Sequence, residues 1–292
     1  MNRPKLILLV GVPGSGKTTY AKEYMQSNIN VIHLSSDGIR QELYGDESTQ
    51  GNPNEVFSLM QSRAVEALNN GQNVIYDATN ITRKDRSGIL SLCPKFVNIE
   101  VHIIWSPIET CIERDAVRER TVGKDIIDRM LKRFQAPYYD EGIDEIKIIK
   151  PKEFDEDTYS NNCLKAMKIP HDNPHHTLDV SSHCFETFRY LYNVKDCFDE
   201  DILYAALRHD VGKPYVKSFT DSKGNPCEHA HYYQHQCVGA WMAYGFTNAT
   251  ADSVWLISTH MSPFLNEKYY RSLPAFLKRD VDLLHEADLA AH

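Results

Sequence analysis

No two cysteines in this chain are spaced C-x-x-C, and the seven that occur are scattered. That pattern argues for reduced thiols in a cytoplasmic protein rather than a disulfide scaffold. No apolar run approaches membrane-spanning length, and no signal-peptide pattern opens the sequence, so no membrane partner is expected. There is no internal repeat and no low-complexity tract, which excludes a solenoid or a disordered linker array. Positive charge is also lacking. The formal net charge is −8, against a broad surface coated by nucleic acid.

What is present is divided unevenly. The 292 residues suit one or two domains, with 42% hydrophobic and 25% charged residues, as in soluble globular proteins. Residues 1–150 carry 19 Lys+Arg against 20 Asp+Glu, while the remainder carries 13 against 20. Only His33 and His102 precede residue 150, leaving 11 of the 13 histidines beyond it. A near-neutral half adjoins an acidic, histidine-rich half, which predicts two domains with two chemistries.

The densest signal is Gly11-Val12-Pro13-Gly14-Ser15-Gly16-Lys17-Thr18, which matches G-x-x-x-x-G-K-[ST] at every fixed position. It follows the apolar run Leu6-Ile7-Leu8-Leu9-Val10 and precedes a helical stretch beginning Thr18-Thr19-Tyr20. The glycines Gly14 and Gly16 let the backbone curl around Ser15, so that successive N–H groups point at phosphate oxygens. Lys17 brings a cation to the terminal phosphates, and the Thr18 hydroxyl can ligate Mg²⁺. This half is expected to bind ATP or another nucleoside triphosphate with Mg²⁺.

The first half alternates strand and helix patterns, which predicts an α/β domain with a parallel sheet and helices on both faces. Strands are expected at 5–10, 31–34, 73–77, 98–105 and 145–149. Helices are expected near 17–27, 37–44, 54–70, 82–91, 107–119 and 123–134. The charged, Pro-containing stretch from Lys150 to Asp157 reads as a linker, extended here over 151–170. The half beyond it, 171–292, shows little strand pattern and reads as all-α. Helices are expected there at 176–193, 200–209, 229–244, 248–259 and 279–291.

Asp37 follows the second strand, where strand ends line the ligand crevice of a doubly wound sheet. A carboxylate there can accept the proton of an attacking hydroxyl, and it can equally cap a helix. Asp77 ends the third strand and can organise the water around Mg²⁺ or cap the next turn. Arg114 and Arg118, four apart on a predicted helix, share a face. They suit either a phosphate-closing lid or a solvated face paired with acids.

Four segments occur here in the order seen in 5′-hydroxyl polynucleotide kinases. They are Gly11–Thr19, Ser36-Asp37-Gly38-Ile39-Arg40, Tyr76–Asn80 and Cys111–Arg118. Residues 5–150 resemble that family. The resemblance implies Asp37 as general base, Arg40 as a contact to substrate phosphate, and Arg114 and Arg118 as lid residues. Arg83, Lys84 and Arg86 would border a polynucleotide groove.

In the second half, His209-Asp210 is flanked by His183, His235, His260 and Asp288 on separate predicted helices. Mixed imidazole and carboxylate donors from several helices suit Mn²⁺, Fe²⁺, Ni²⁺, Co²⁺ or Zn²⁺. His175, His176, His229 and His231 read as ordinary histidines. Asn173–His183, His209–Pro214, His235–Ala240, Thr259–Met261 and Ala287–Ala290 resemble the HD phosphohydrolase superfamily, notably the HD regions of tRNA nucleotidyltransferases. The resemblance covers about 170–292. It implies a first metal on His183, His209, Asp210 and Asp288, with His235 and His260 serving a second metal or the substrate phosphate. The implied chemistry is metal-assisted phosphoester hydrolysis. Lys213 is placed to hold a nonbridging oxygen, or to complement a helix C-terminus.

Together the halves resemble enzymes that pair a polynucleotide kinase with an HD domain. Such a chain would phosphorylate 5′-hydroxyl ends and hydrolyse 2′,3′-cyclic, 2′- or 3′-phosphate ends. RNA and DNA ends fit the pattern equally. Two other readings remain open: a small-molecule or nucleoside kinase fused to an HD nucleotidase, and a non-catalytic nucleotide sensor.

Overall fold

Leu6 to Val10 are fully buried, as an apolar run must be when both faces of its sheet are covered. They lie in β1 (Lys5–Val10), the central strand of a five-stranded sheet. The computed structural model describes residues 3–174 and 177–291. β1 pairs in parallel with β3 (Asn73–Asp77) on one side and β4 (Asn98–Ile104) on the other. β2 (Val31–Ser35) and β5 (Glu145–Ile149) complete the order β2-β3-β1-β4-β5. Helices α1 (Lys17–Ser27), α2 (Ser36–Tyr44), α3 (Pro53–Asn69), α4 (Arg83–Leu90), α5 (Ile108–Ala116) and α6 (Lys124–Leu131) form the connections. Every parallel crossover ends its strand on one edge, so Val10, Ser35, Asp77 and Ile104 deliver their loops to the same rim.

The expected strands are present within one residue at each end. The helix expected over 107–119 stops at Ala116. The Asp115 carboxylate accepts from the amides of Val122 and Gly123, at 3.0 and 2.9 Å, so the chain turns away instead of continuing. Arg118 therefore does not share a helix face with Arg114. Arg86 does not border a groove either. It is fully buried and forms a two-pronged ion pair with Glu141, at 2.8 and 2.7 Å, and a third bond to Asn80 O. A guanidinium so enclosed must be neutralised, and the turn at Tyr139–Glu141 supplies the acid.

Glu100 on β4 is a second buried acid. It pairs with Lys5 at 2.5 Å, Lys147 at 2.8 Å and His102 at 3.1 Å, and His102 in turn meets Tyr20 O–H at 2.7 Å. Burial pushes its carboxyl up, but hydrogen bonds from Lys147, Lys5 and His102 prevail and hold its pKa down to about 2. Stability from such a depressed acid is present above the unfolded value near 4.5 and is lost as pH falls towards about 2. Both lysines are partly exposed, which screens the pair. Glu100→Gln is thus expected to cost about 1–2 kcal/mol at neutral pH. In urea titrations the gap between wild type and variant should close between pH 4.5 and 2; a pH-independent gap would show that the charge is immaterial.

The chain divides into two compact units. The first comprises residues 1–130 and 137–152, the second 131–136 and 153–292. The short return segment anchors in the second unit, where the Phe134 ring meets Trp241 edge-on at 5.4 Å and the Ala136 amide donates to Ser258 Oγ.

The second unit is mostly helical. The segment expected as a linker holds α7 (Glu156–Ala166), whose N-terminus is capped by Asp155. Its polar outer face hid the helix. α8 (Val180–Val194), α9 (Glu200–Ala206), α10 (Lys213–Val216), α11 (His235–Ala243), α12 (Ala251–Thr259), α13 (Ser262–Leu265), α14 (Glu267–Ser272) and α15 (Ala275–Ala290) follow. The unit is not all-α. β6 (Ser218–Thr220) and β7 (Pro226–His231) form an antiparallel hairpin where a helix from 229 was expected. Its turn is built by Asp221, which accepts from Lys223 and Asn225 amides.

Candidate active sites

The loop after β1 needs glycine at position 14. Its φ is +77°, and a Cβ there would lie 2.1 Å from the Cys111 carbonyl oxygen. Buried Asn80 ties the loop's root to β1, donating to Leu9 O at 2.7 Å, and the Gly11 amide donates to Thr79 O. Lys17 opens α1 and folds its ammonium onto Gly11 O and Val12 O at 2.9 and 3.0 Å. Burial pulls the Lys17 pKa below its ordinary value, and the Asp77 carboxylate pulls it up. Ser15 is buried, whereas Thr18 and Thr19 are exposed on the first turn. Asp77 is buried and its Oδ2 lies 3.1 Å from His33 Nε2, so it is not occupied as a cap.

The competing roles of Asp37 separate on geometry. Ser35 caps α2, accepting from the Gly38 amide at 2.9 Å. Asp37 stands one residue inside the helix, half-exposed, and receives Arg40 Nη1 at 2.8 Å. Arg120 Nη1 approaches the same Oδ1 at 3.8 Å and donates to Glu47 O at 2.7 Å. Arg40 Nε is buried without a hydrogen-bond partner among the described residues. Arg114 reaches back to Ser106 Oγ at 3.1 Å and Gly14 O at 3.5 Å. Arg118 is exposed beyond the helix, and its charge further lowers the Lys17 pKa.

The second unit brings all six expected side chains together. His183 (α8) meets Asp288 (α15) at 2.8 Å, and His209 meets the same Oδ1 at 3.3 Å. Asp210 Oδ2 lies 3.4 Å from His209 and 3.6 Å from His183, while its Oδ1 lies 3.2 Å from His235. His235 and His260 Nε2 atoms are 3.2 Å apart. Lys213 Nζ is 2.6 Å from Asp210 Oδ2.

A fifth imidazole, His171, was not expected. It is buried, with Nε2 3.2 Å from Lys213 and 4.0 Å from Asp210. Lys217 donates to Pro170 O, and Tyr232 O–H donates to the His171 carbonyl, so the hairpin holds this segment in place. The cue was Ile169-Pro170-His171-Asp172, a histidine in a turn before a helix, with no periodicity to mark it. His175 and His176 lie outside the described residues.

All five imidazoles share one arrangement. Nδ1 faces a backbone carbonyl: Leu178 for His171, Ala291 for His183, Ala206 for His209, Tyr232 for His235 and Ile257 for His260, all at 2.8–2.9 Å. Such tethering fixes the proton on Nδ1 and turns the Nε2 lone pair inward. Donor atoms of His183, His209 and Asp210 lie within 4.8 Å of one another, as do those of Asp210, His235 and His260. Nitrogen and carboxylate donors so tethered fit one or two transition-metal ions sharing Asp210. Burial opposes a proton on His209, yet Cys184, Asp210 and Asp288 raise its pKa well above the ordinary value. His260 is pushed down to about 3 by burial and by His235 and His209. Burial would raise the Asp210 pKa, but Lys213 and His209 hold it well below the ordinary value.

Gly212 lets α10 close on α11. A Cβ there would stand 2.2 Å from His235 O and 2.6 Å from the Gly239 amide nitrogen. Both contacts are backbone, so Gly212→Ala is expected to destabilise the second unit by about 1–3 kcal/mol. A urea midpoint for that unit within error of wild type would count against this packing account.

Residues 6–137 match the family model described as an AAA domain. L-seryl-tRNA(Sec) kinase of Methanococcus maripaludis is 25% identical over 185 residues, 57% of this chain and 69% of that protein. Transcription factor bHLH140 of Arabidopsis thaliana is 25% identical over 148 residues, 48% of this chain. The chain spans only 15% of that plant protein's length. Among solved structures, the Pnkp1/Rnl/Hen1 RNA repair complex aligns at 23% identity and a TM-score of 0.42, covering 46% of this chain and 44% of that one. The Mycobacterium tuberculosis APS kinase CysC, in complex with AMPPNP and APS, aligns at 18% identity and a TM-score of 0.39, over 56% and 98%. The first unit has a parallel-sheet α/β fold with a phosphate-binding loop after its central strand. Among the described residues, no helix is long and apolar enough to cross a membrane.

Proposed function

We propose that this chain heals broken nucleic-acid ends, phosphorylating 5′-hydroxyls with ATP and hydrolysing 2′,3′-cyclic, 2′- or 3′-phosphates. The observation that carries the reading is one cluster of chemically competent side chains in each unit: the Lys17 loop beside Asp37 and Arg40, and five inward-facing imidazoles around Asp210. The kinase among the sequence relatives supports phosphoryl transfer in the first unit.

Here the loop amides and Lys17 would hold the donor phosphates, with Thr18 and Asp77 towards Mg²⁺. Mg²⁺, when bound, supplies charge neutralisation across the phosphates. Asp37 would accept the proton of the attacking hydroxyl, and Arg40, with its orphaned Nε, would take an acceptor phosphate. Arg114 and Arg118 would neutralise charge growing on the transferred group.

In the second unit, His183, His209, Asp210 and Asp288 would hold one ion, and His235 and His260 a second or the phosphate itself. A transition metal, when bound, supplies Lewis acidity towards the phosphoester. Lys213, held against Asp210 and His171, would receive a nonbridging oxygen.

The test uses oligonucleotides with defined ends. Label transfer from ATP to a 5′-hydroxyl strand, and phosphate release from a 3′-phosphate or cyclic end with Mn²⁺, Ni²⁺ or Co²⁺, are expected. Phosphorylation of free nucleosides alone would replace this reading with a small-molecule kinase. Inertness towards ATP and phosphoesters would leave a nucleotide sensor.

A further inference from the structure

Asp115 does more than end α5. Its Oδ2 holds the amides of Val122 and Gly123 at 3.0 and 2.9 Å, which pins both ends of a short loop, 116–121. Every residue of that loop is exposed except Arg120, which turns inwards. Its Nη1 donates to Glu47 O at 2.7 Å and stops 3.8 Å from Asp37 Oδ1. Two acids lie near it, and both are engaged elsewhere. Asp37 receives Arg40 at 2.8 Å. Asp46 receives the Ser48 amide at 2.7 Å and the Ser48 hydroxyl, and these lower its pKa more than the Arg120 charge does. A guanidinium carries five N–H donors in a fixed fork. Among the described residues, the one hydrogen bond that Arg120 makes is to the Glu47 carbonyl.

We propose that Arg120 is a specificity-determining residue that takes the second phosphate of the acceptor strand, counted from the 5′-hydroxyl. The proposal rests on reading the first unit as a 5′-hydroxyl kinase, and it names what that site selects. Arg40 and Arg120 approach one oxygen of Asp37 from two different elements, α2 and the loop after α5. With the hydroxyl at Asp37, the nearer guanidinium, Arg40, meets the first phosphate. Arg120 stands farther out, towards Glu47, where the strand continues. Its fork matches the paired oxygens of a phosphate, and the carbonyl and the Asp115 latch hold it in place beforehand. Arg118, two residues earlier on the same loop, acts on the Lys17 ammonium, so one loop serves donor and acceptor. A nucleoside, or a dinucleotide with its single phosphate, does not engage Arg120. A strand of three or more nucleotides does.

The test is label transfer from ATP to 5′-hydroxyl oligothymidylates of increasing length, from the dinucleotide upwards. All end in a 3′-hydroxyl, so the second unit has no phosphate to remove. In the wild-type full chain, kcat/KM should rise about tenfold from the dinucleotide to the trinucleotide, the scale of one charge-assisted phosphate contact. In Arg120→Ala that step should vanish. Arg120→Lys should recover part of it, because lysine keeps the charge without the fork. The salt dependence of KM for long strands should weaken in Arg120→Ala by about one phosphate contact. A step that persists in Arg120→Ala, whether activity is otherwise unchanged or lower at every length, would overturn the proposal and leave Arg120 a latch on Glu47. Label transfer by the wild type to nucleosides but to no strand would instead overturn the kinase reading on which the proposal rests.

Discussion

Replacing Lys17 or Asp37 by alanine is expected to lower 5′-hydroxyl kinase turnover by about two orders of magnitude or more. The two losses have different physical origins. The Lys17 ammonium is drawn onto the loop carbonyls, and burial has already lowered its pKa. Its charge is therefore poorly solvated and gains most when a phosphate arrives. Asp37 has no capping duty, since Ser35 performs it, so Asp37→Ala should leave α2 intact. Its removal would take away the group proposed to receive the hydroxyl proton. Lys17→Ala should raise the KM for ATP as well as lower kcat, whereas Asp37→Ala should act mainly on kcat. Near wild-type turnover in Asp37→Ala would end its assignment as general base. Both variants should hydrolyse 3′-phosphates at the wild-type rate.

The sheet was legible because β1 is an apolar run and the other strands are short, Val- and Ile-rich segments between turn residues, and burial on both faces leaves no other reading for Leu6–Val10. The rim followed from it, since parallel strands deliver their ends to one side. What escaped was local competition. The α5 helix looked continuous through Arg118, but Asp115 captured the following amides and ended it. Arg86 looked like a surface cation, and only the distant turn at Glu141 explains its burial. The helix α7 was masked by its charge. His171 carried no periodic signal, because it is fixed by bonds from Lys217 and Tyr232, some 45 to 60 residues away. The six expected ligands were readable because each lies on or beside a helix and the donor types belong together chemically. Their convergence on Asp210 was a matter of tertiary packing, notably the close approach at Gly212.

The second large effect concerns that convergence. Asp210→Asn is expected to abolish metal retention and His209→Ala to reduce it, and each is expected to lower hydrolysis by about three orders of magnitude. Asp210 is the shared member, within 3.2–3.6 Å of His183, His209 and His235, so its loss should empty both ligand groups. Asparagine keeps the shape and avoids leaving Lys213 beside a void. His209 serves one group directly, so its loss can spare an ion on His235 and His260. Elemental analysis should then give less metal for Asp210→Asn than for His209→Ala. Stability supplies a readout independent of turnover. A ligand at 100 times its Kd adds about 2.7 kcal/mol to the state that binds it. Adding Mn²⁺, Ni²⁺ or Co²⁺ to chelator-treated wild type should therefore raise the melting temperature of the second unit by several degrees. Asp210→Asn should show no such rise. Mg²⁺ should do less in both assays, because imidazole nitrogens outnumber carboxylates around the site. The kinase should persist in both variants, since none of its groups lies in the second unit. Metal content and hydrolysis unchanged in Asp210→Asn would leave the imidazole cluster as a buried polar core. A requirement for ATP or for intact Lys17 in hydrolysis would replace two independent sites with one coupled site.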